Sequence, residues 1–143
     1  MYKKTLSPLS PEFCSLKEMF MKPQFIIGAA SSGSGKTTFT MGLLRALAHR
    51  GMRVQPYKCG PDYIDTQFHS LASKQVSVNL DTWLASEEHV RSLYHSYGKD
   101  ADVCTVEGVM GLYDGYSGMK GSSAAMAALL DIPVILLVNA RST

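Results

Sequence analysis

The sequence predicts an α/β protein with a mostly parallel, doubly wound sheet. From residue 24 onward, short apolar runs alternate with longer stretches of helical period. A turn rich in glycine and serine separates the first apolar run from the first helical stretch. The chain ends soon after its fourth apolar run, so we expect a sheet truncated after the fourth strand.

The predicted strands are the apolar runs 25–29, 53–58, 101–106 and 132–138. Pro56 has no backbone donor, which indicates that the second strand lies at a sheet edge or ends there. The fourth run is continuously apolar, as strands in the centre of a parallel sheet are.

The predicted helices are the stretches 37–50, 86–97 and 122–130. Phe39, Leu43 and Leu47 recur at intervals of four and predict the buried face of the first helix. Gly51 follows that helix as a typical stop signal.

Composition excludes several functional classes. The formal net charge of the 143 residues is +2 and no long lysine or arginine run occurs, so no nucleic-acid or membrane partner is predicted. No apolar run reaches the ~18 residues that a membrane helix needs. Cys14, Cys59 and Cys104 are widely spaced, which suits a protein of the reducing cytoplasm.

Residues 1–22 show no clear period and contain two prolines. Our hypothesis is that translation starts at Met21, which would make the preceding residues a start-site artefact or a disordered tail. Residues 23–143 are then one incomplete domain. Mass spectrometry of the native N-terminus tests this, and a peptide spanning Lys17 to Lys22 would contradict it.

The turn after the first strand has the pattern of a phosphate-binding loop. Its small residues let backbone N–H groups point at phosphate oxygens, and the helix that begins near Gly35 adds its positive end. Lys36 supplies a charge to the β- and γ-phosphates, and Thr37 supplies a hydroxyl to Mg²⁺. The predicted nucleotide-binding residues are Ser32, Gly33, Ser34, Gly35, Lys36, Thr37 and Thr38.

Two positions depart from related patterns. Ala30 stands where the standard loop has glycine, so the loop is kept only if φ there is negative. Ser31 stands where partition-type ATPases carry a second lysine, which disfavours that class. A Ser/Gly loop that binds nothing is the alternative, but the strand–loop–helix setting favours nucleotide binding.

Two acidic segments follow predicted strands, at the sheet edge where ligands bind. Asp62 and Asp65 either hold Mg²⁺ or cap a helix around 66–72. Glu107 ends the third strand and is either a Walker-B-type acid or an exposed strand-end carboxylate. Asp114, in a glycine-rich loop, is a metal ligand, a substrate contact or a turn residue. The four histidines have no metal-ligand spacing, so we expect each to be a surface residue or to be satisfied by hydrogen bonding. We expect Trp83 and the tyrosines to lie in the core.

Five segments together resemble cobyrinic acid a,c-diamide synthases, within the dethiobiotin synthetase-like superfamily. They are ASSGSGKTT (30–38), KCGPDYID (58–65), NLD (79–81), EGVMGLYDG (107–115) and DIPVILLV (131–138). The second and fourth are the most specific. The resemblance implies a P-loop NTPase-type fold, with ATP and Mg²⁺ as cofactors and a corrin as substrate.

In this family, the resemblance implies, the γ-phosphoryl group of ATP activates a corrin carboxylate. Ammonia, released from glutamine by a separate amidotransferase domain, then forms the amide. Carried over to this chain, the catalytic residues are Lys36, Asp65, Glu107 and Asp114. The metal ligands are Thr37, Asp62, Asp65 and Glu107, and the substrate residues are Tyr63 and Asp114.

Some features differ from the family or stay open. Family chains are much longer, so a glutaminase domain is expected downstream and the 143-residue chain alone is expected to be inactive. Asn139 stands where the family tends to have aspartate. A hydrogenobyrinic or nickel-containing tetrapyrrole substrate and a homo-oligomer stay open. The alternatives are a partition-type regulatory P-loop ATPase and an inactive fragment.

Overall fold

The computed structural model describes residues 22–140, which form one parallel five-stranded sheet flanked by helices. The strands are β1 (Gln24–Ala29), β2 (Val54–Cys59), β3 (Val78–Leu80), β4 (Val103–Glu107) and β5 (Val134–Leu137). The helices are α1 (Lys36–His49), α2 (Asp65–Ser73), α3 (Glu87–Gly98) and α4 (Ser123–Leu130). The strand order is β3-β2-β4-β1-β5 and every pairing is parallel, which confirms the predicted α/β class. The hypothesis about Met21 lies outside the described residues.

The sheet differs from the sequence prediction at both of its edges. Strand β3, which has three residues, was missed, so the sheet has five strands rather than four. Among residues 22–140, strand β5 pairs only with β1, so it is an edge strand of the described sheet and not a central one. Its side chains Val134, Ile135 and Leu136 are 38–48% exposed. An apolar run shows what a strand is able to bury, but it does not fix the place of that strand in the sheet.

The short length of β3 explains how Pro56 is accommodated inside the sheet. Strand β2 lies between β3 and β4, so the expectation of an edge strand is wrong for β2 as a whole. However, pairing with β3 begins only at Tyr57. On that side the side-chain amide of Gln55 donates from Nε2 to the backbone carbonyl oxygens of Val76 at 2.8 Å and Pro56 at 3.0 Å. Proline therefore occupies a stretch that β3 does not reach.

Each face of the sheet carries its own apolar core, as a doubly wound fold requires. On one face Leu44 of α1 packs with Val54 and Val103. On the other face the larger cluster joins β-strand side chains to residues of α3 and α4, including Tyr94 and Met126. The most buried residues of α1 are Lys36, Thr40 and Leu44. The buried face is therefore rotated from the one predicted on Phe39, Leu43 and Leu47.

The three predicted helices are confirmed, each beginning and ending within one residue of the expected position. Side-chain caps fix the starts of α3 and α4, because the hydroxyls of Ser86 and Ser122 accept backbone N–H groups three residues ahead. Gly51, with φ +81°, ends α1 as predicted. Over residues 22–140 no helix is long and apolar enough to cross a membrane.

The connections place a crevice at the carboxyl edge of the sheet. Helix α1 follows β1 onto one face, whereas α4 follows β4 onto the opposite face. Because β1 and β4 are neighbours, their following loops diverge. Open α/β sheets bind ligands at such switch points.

Candidate nucleotide-binding site

The loop between β1 and α1 has the backbone that a phosphate-binding loop needs. Gly33 and Gly35 have φ values of +75° and +85°, in the left-handed region that favours glycine. The hydroxyl of Ser34 donates to the carbonyl oxygen of Ser31 at 2.9 Å and closes the turn. Ala30 is not among the described residues with positive φ, so alanine is compatible with the loop at this position.

A cleft of about 410 Å³ opens beside this loop. It is lined by Ser32, Gly33, Gly35, Lys36, Thr37, Thr38, Lys58, Asp62, Asp65, Glu107, Val109 and Met110. All but one of the predicted nucleotide-binding residues therefore meet three of the four predicted acidic residues in one place. Ser34, Tyr63 and Asp114 do not line the cleft.

A hydroxyl and two carboxylates converge at the base of the cleft. The Thr37 Oγ1 atom lies 2.8 Å from Glu107 Oε1 and 3.3 Å from Asp65 Oδ2. These residues come from α1, β4 and α2 respectively. Glu107 is fully buried, so the alternative of an exposed strand-end carboxylate is wrong.

Lys58, which the sequence analysis did not assign to the site, bridges the two carboxylates. Its Nζ atom lies 2.7 Å from Asp65 Oδ2 and 3.0 Å from Glu107 Oε1. Its side chain is only 6% exposed. Burial disfavours the charged ammonium, but the Glu107 charge and the hydrogen bond to Asp65 outweigh burial and raise the pKa of Lys58. The lysine therefore stays protonated and neutralises part of the carboxylate charge.

His69 is the second site residue that the sequence analysis missed. Its Nε2 atom lies 2.6 Å from Glu107 Oε2, and both side chains are fully inaccessible to solvent. The histidine is satisfied by hydrogen bonding, which was one of the two outcomes expected for the histidines. Its partner, however, is the central acid of the site.

These contacts keep Glu107 ionised despite its burial. Burial by itself raises a carboxyl pKa, but the His69 hydrogen bond, the Lys58 charge and the Thr37 hydroxyl lower the pKa of Glu107 to about 2. At neutral pH the side chain is therefore negatively charged and accepts hydrogen bonds.

Lys36 is held at the mouth of the loop by a backbone oxygen. Its Nζ atom donates to the carbonyl oxygen of Met110 at 2.6 Å. Burial, together with the nearby Lys58 charge, lowers the pKa of Lys36. Met110 itself has φ +46°, a costly conformation for a side chain of this size, and it lies in the loop after β4.

A capping role and a metal role were open for Asp62 and Asp65, and Asp62 takes the capping role. Asp62 Oδ1 accepts the backbone N–H groups of Ile64 and Asp65, both at 2.9 Å, at the start of α2. Burial opposes ionisation of Asp62, but these two backbone hydrogen bonds outweigh it and lower its pKa. Asp65 instead faces Thr37 and Lys58.

Asp114 and Tyr63 take positions that the cleft does not include. Asp114 Oδ2 accepts the backbone N–H of Gly111 at 2.9 Å, which is the turn role among its three alternatives. Tyr63 is 77% exposed.

The expectation of a buried tryptophan is wrong. Trp83 is 68% exposed and lies edge-on against the ring of Tyr116, with ring centroids 4.8 Å apart. Tyr113 is also exposed, whereas Tyr57 and Tyr94 lie in the core as predicted. Trp83 follows β3 and Tyr113 and Tyr116 follow β4, so the exposed rings lie at the carboxyl edge of the sheet. Exposed aromatic side chains therefore lie at the same edge of the sheet as the cleft.

The donor set fits a magnesium ion that is shared with a nucleotide. One hydroxyl and two carboxylates are hard oxygen ligands, which Mg²⁺ prefers. Within residues 22–140 no group of three or more His, Cys, Asp or Glu side chains could hold a metal by itself. Mg²⁺ commonly takes one or two carboxylates and completes its shell with phosphate oxygens and water.

A parallel doubly wound sheet, a phosphate-binding loop and a buried acid beside the loop threonine define a P-loop nucleotide-binding protein. The CbiA family model, described as the CobQ/CobB/MinD/ParA nucleotide binding domain, matches residues 25–141. The chain belongs to this family.

Named relatives narrow the resemblance. The chain is 52% identical over 119 residues to a cobyrinate a,c-diamide synthase of Dehalococcoides mccartyi (strain CBDB1), a match that covers 82% of the chain and 26% of the relative. It is 49% identical over 122 residues to a hydrogenobyrinate a,c-diamide synthase of Streptomyces coelicolor, covering 84% and 25%. The resemblance stated from the motifs is confirmed. The chain spans about a quarter of the length of these relatives.

Proposed function

We propose that this chain is the ATP-binding part of an ATP-dependent amide synthetase that acts on a corrin ring, of the cobyrinate a,c-diamide synthase type. The observation that carries the proposal is the convergence of Thr37, Asp65 and Glu107 beside Lys36. The relatives named cobyrinate and hydrogenobyrinate a,c-diamide synthase support the choice of substrate.

The proposed reaction has two steps. First, the γ-phosphoryl group leaves the β-phosphate oxygen of ATP and bonds to a carboxylate oxygen of the corrin, which releases ADP. Ammonia then bonds to the activated carbonyl carbon, phosphate leaves, and an amide remains. The protein contributes mainly by positioning and by neutralising charge, as in other phosphoryl transfers.

The residues of the cleft have separate tasks in this proposal. Lys36 binds the β- and γ-phosphates, and its hydrogen bond to the Met110 carbonyl oxygen is replaced by contacts to phosphate oxygens. Thr37, Asp65 and Glu107 would hold Mg²⁺, which when bound offsets the charge that develops on the phosphates. Lys58 limits the repulsion between Asp65 and Glu107. Asp62, also proposed from the family resemblance as a metal ligand, fixes the start of α2 and so the direction of Asp65.

The substrate side of the site is proposed to be the loops after β2, β3 and β4. The exposed rings of Tyr63, Trp83, Tyr113 and Tyr116 offer apolar surface for a flat macrocycle. We propose that Tyr63 contacts the corrin and that Asp114 acts through the loop it closes. Ammonia is proposed to come from glutamine in a separate amidotransferase domain, and the protein to act in the cytoplasm.

A chimaera tests the proposal directly. The matched segment of the Dehalococcoides synthase is replaced by the aligned 119 residues of this chain, which are 52% identical to it. We expect diamide by mass spectrometry when the chimaera receives ATP, Mg²⁺, glutamine and cobyrinic acid, with hydrogenobyrinic acid as a parallel substrate. The same chimaera with Lys36→Ala is the inactive control. A folded chimaera that binds ATP but amidates neither corrin would contradict the proposal and favour a regulatory P-loop ATPase.

The isolated chain is proposed to bind ATP without completing the reaction, because it spans about a quarter of its relatives. Incubation with ATP, Mg²⁺, ammonium and cobyrinic acid bypasses the need for glutaminase and tests the synthetase alone. Diamide above the protein-free control would show that these residues contain the whole synthetase site.

A further inference from the structure

We propose that His69 is a positioning residue, which fixes one oxygen of Glu107 so that the other oxygen faces the metal–nucleotide position. The inference rests on the proposed function, because it assigns Glu107 to the Mg²⁺ of a bound nucleotide. Its evidence is independent of the relatives and comes from the hydrogen bonds around this one carboxylate.

The two oxygens of Glu107 have different partners. Oε1 is the oxygen on the cleft side, where it contacts Thr37 at 2.8 Å and Lys58 at 3.0 Å. Oε2 contacts the Nε2 atom of His69 at 2.6 Å. The terminal torsion of a glutamate has only a broad, two-fold preference. The orientation of this carboxylate must therefore come from its partners.

Helix α2 delivers the histidine together with a proposed metal ligand. Asp65 and His69 are four residues apart, so they lie one above the other on the same side of α2. Asp65 approaches Thr37 while His69 reaches Glu107. One face of α2 thus carries the carboxylate of Asp65 and, through His69, also orients the carboxylate of Glu107.

The hydrogen-bonding partners of the His69 ring decide which ring nitrogen carries hydrogen. An ionised carboxylate only accepts hydrogen bonds, so Nε2 carries the hydrogen and donates it to Glu107 Oε2 in a hydrogen bond. On the far side, Nδ1 lies 3.3 Å from the hydroxyl of Ser77. The hydroxyl of Ser70 in turn accepts the backbone N–H of Ser77 at 2.9 Å, which fixes this segment against α2. The ring is therefore restrained at both nitrogens.

Side chains that orient a metal ligand from behind typically contribute about 10–100-fold to metal affinity or activity. Loss of His69 should act on the Mg²⁺-dependent part of nucleotide binding. The phosphate loop itself, which contacts neither nitrogen of the ring, should still bind metal-free ATP.

The test is isothermal titration of the purified chain with ATP, at a series of Mg²⁺ concentrations and in excess EDTA. We expect His69→Leu to raise the Mg²⁺ concentration for half-maximal enhancement of ATP binding about 10–100-fold, with affinity in EDTA unchanged. His69→Gln keeps an N–H donor near the Nε2 position, so it should restore most of the Mg²⁺ response. His89→Leu, at an exposed histidine of α3, is the matched control.

The outcomes test the proposed metal site and the positioning role of His69 separately. A wild-type chain whose ATP binding ignores Mg²⁺ would remove the proposed metal site itself. If the wild type responds to Mg²⁺ and a folded His69→Leu variant responds equally, the positioning role is wrong. Equal defects in the Gln and Leu variants would also overturn it, because the donor would not matter. If His69→Leu does not fold, His69→Asn replaces it: its amide is too short to reach Oε2, so the same difference from His69→Gln is expected.

Discussion

Replacing Glu107 with glutamine should remove a pH-dependent part of the stability of the fold. Glu107 is fully buried, and its contacts lower its pKa from 4.5 to about 2. A carboxyl group with a lowered pKa stabilises the folded state above its unfolded pKa, and this stabilisation is lost as the pH falls through the folded pKa. The window therefore runs from about 4.5 down to about 2.

The expected size follows from that pKa difference. Each unit corresponds to about 1.4 kcal/mol, so the full contribution is about 3 kcal/mol. Roughly 2 kcal/mol of it should be lost between pH ~7 and pH ~3, since Glu107 is still mostly ionised in the folded protein there. Other carboxylates titrate in the variant as well, so only the difference between the two proteins reports Glu107.

Urea unfolding followed by circular dichroism measures this difference. The free energy of unfolding is obtained for wild type and Glu107→Gln at both pH values, and the two losses are subtracted. The constant effect of replacing a buried carboxylate cancels in this comparison. Glu88→Gln, at an exposed position in the first turn of α3, controls for the substitution itself. Equal losses in wild type and Glu107→Gln would show that His69, Lys58 and Thr37 do not stabilise the ionised form.

Three further measurements test the site. Lys36→Ala should weaken ATP binding about 10–100-fold, the cost of a lost charge-assisted hydrogen bond; unchanged affinity by isothermal titration, against Lys120→Ala as control, would refute its role. Lys58→Met should lower the free energy of unfolding by about 3–5 kcal/mol, because it leaves the buried carboxylate of Glu107 and the half-buried carboxylate of Asp65 without their cation. A urea titration showing a loss below ~1 kcal/mol would contradict this. In the chimaera, Glu107→Gln should reduce the rate of amide formation on the order of 10²–10³-fold, whereas near-normal turnover at saturating Mg²⁺ would make Glu107 a structural residue only.

The phosphate-binding loop was predictable because its signal is local. Gly33, Gly35, Lys36 and Thr37 are nearly contiguous, and the strand and helix around them are long enough to show their periods. The acid at the end of β4 was predictable for a related reason, since parallel strands bring their carboxyl ends to one edge.

The partners of that acid were not predictable in the same way. His69 lies 38 positions before Glu107, and Lys58 lies 49 positions before it. No spacing rule connects residues that meet only through sheet pairing and helix packing. Lys58 was within a recognised motif, but its position at the end of a strand gave no indication that its ammonium turns inward.

Errors about burial have a common cause. Leu43 and Leu44 are adjacent, so the apolar period of α1 fits two neighbouring phases, and tertiary packing chose the one with Leu44. Trp83 is apolar enough for a core, yet the loop after β3 leaves it exposed. Hydrophobicity measures the gain from burial, but topology decides which side chains receive it.

The hydrogen bonds of Glu107 constrain how this sequence is able to change over time. One carboxylate serves Thr37 on α1, Lys58 on β2 and His69 on α2. Residues in one such network show interaction energies of about 0.5–3 kcal/mol, so the effects of substitutions do not add. A replacement that is harmful in this background becomes tolerable once a partner has changed, and the reverse also holds. The order in which substitutions occur therefore matters as much as their chemistry, and few single-step paths lead away from this arrangement.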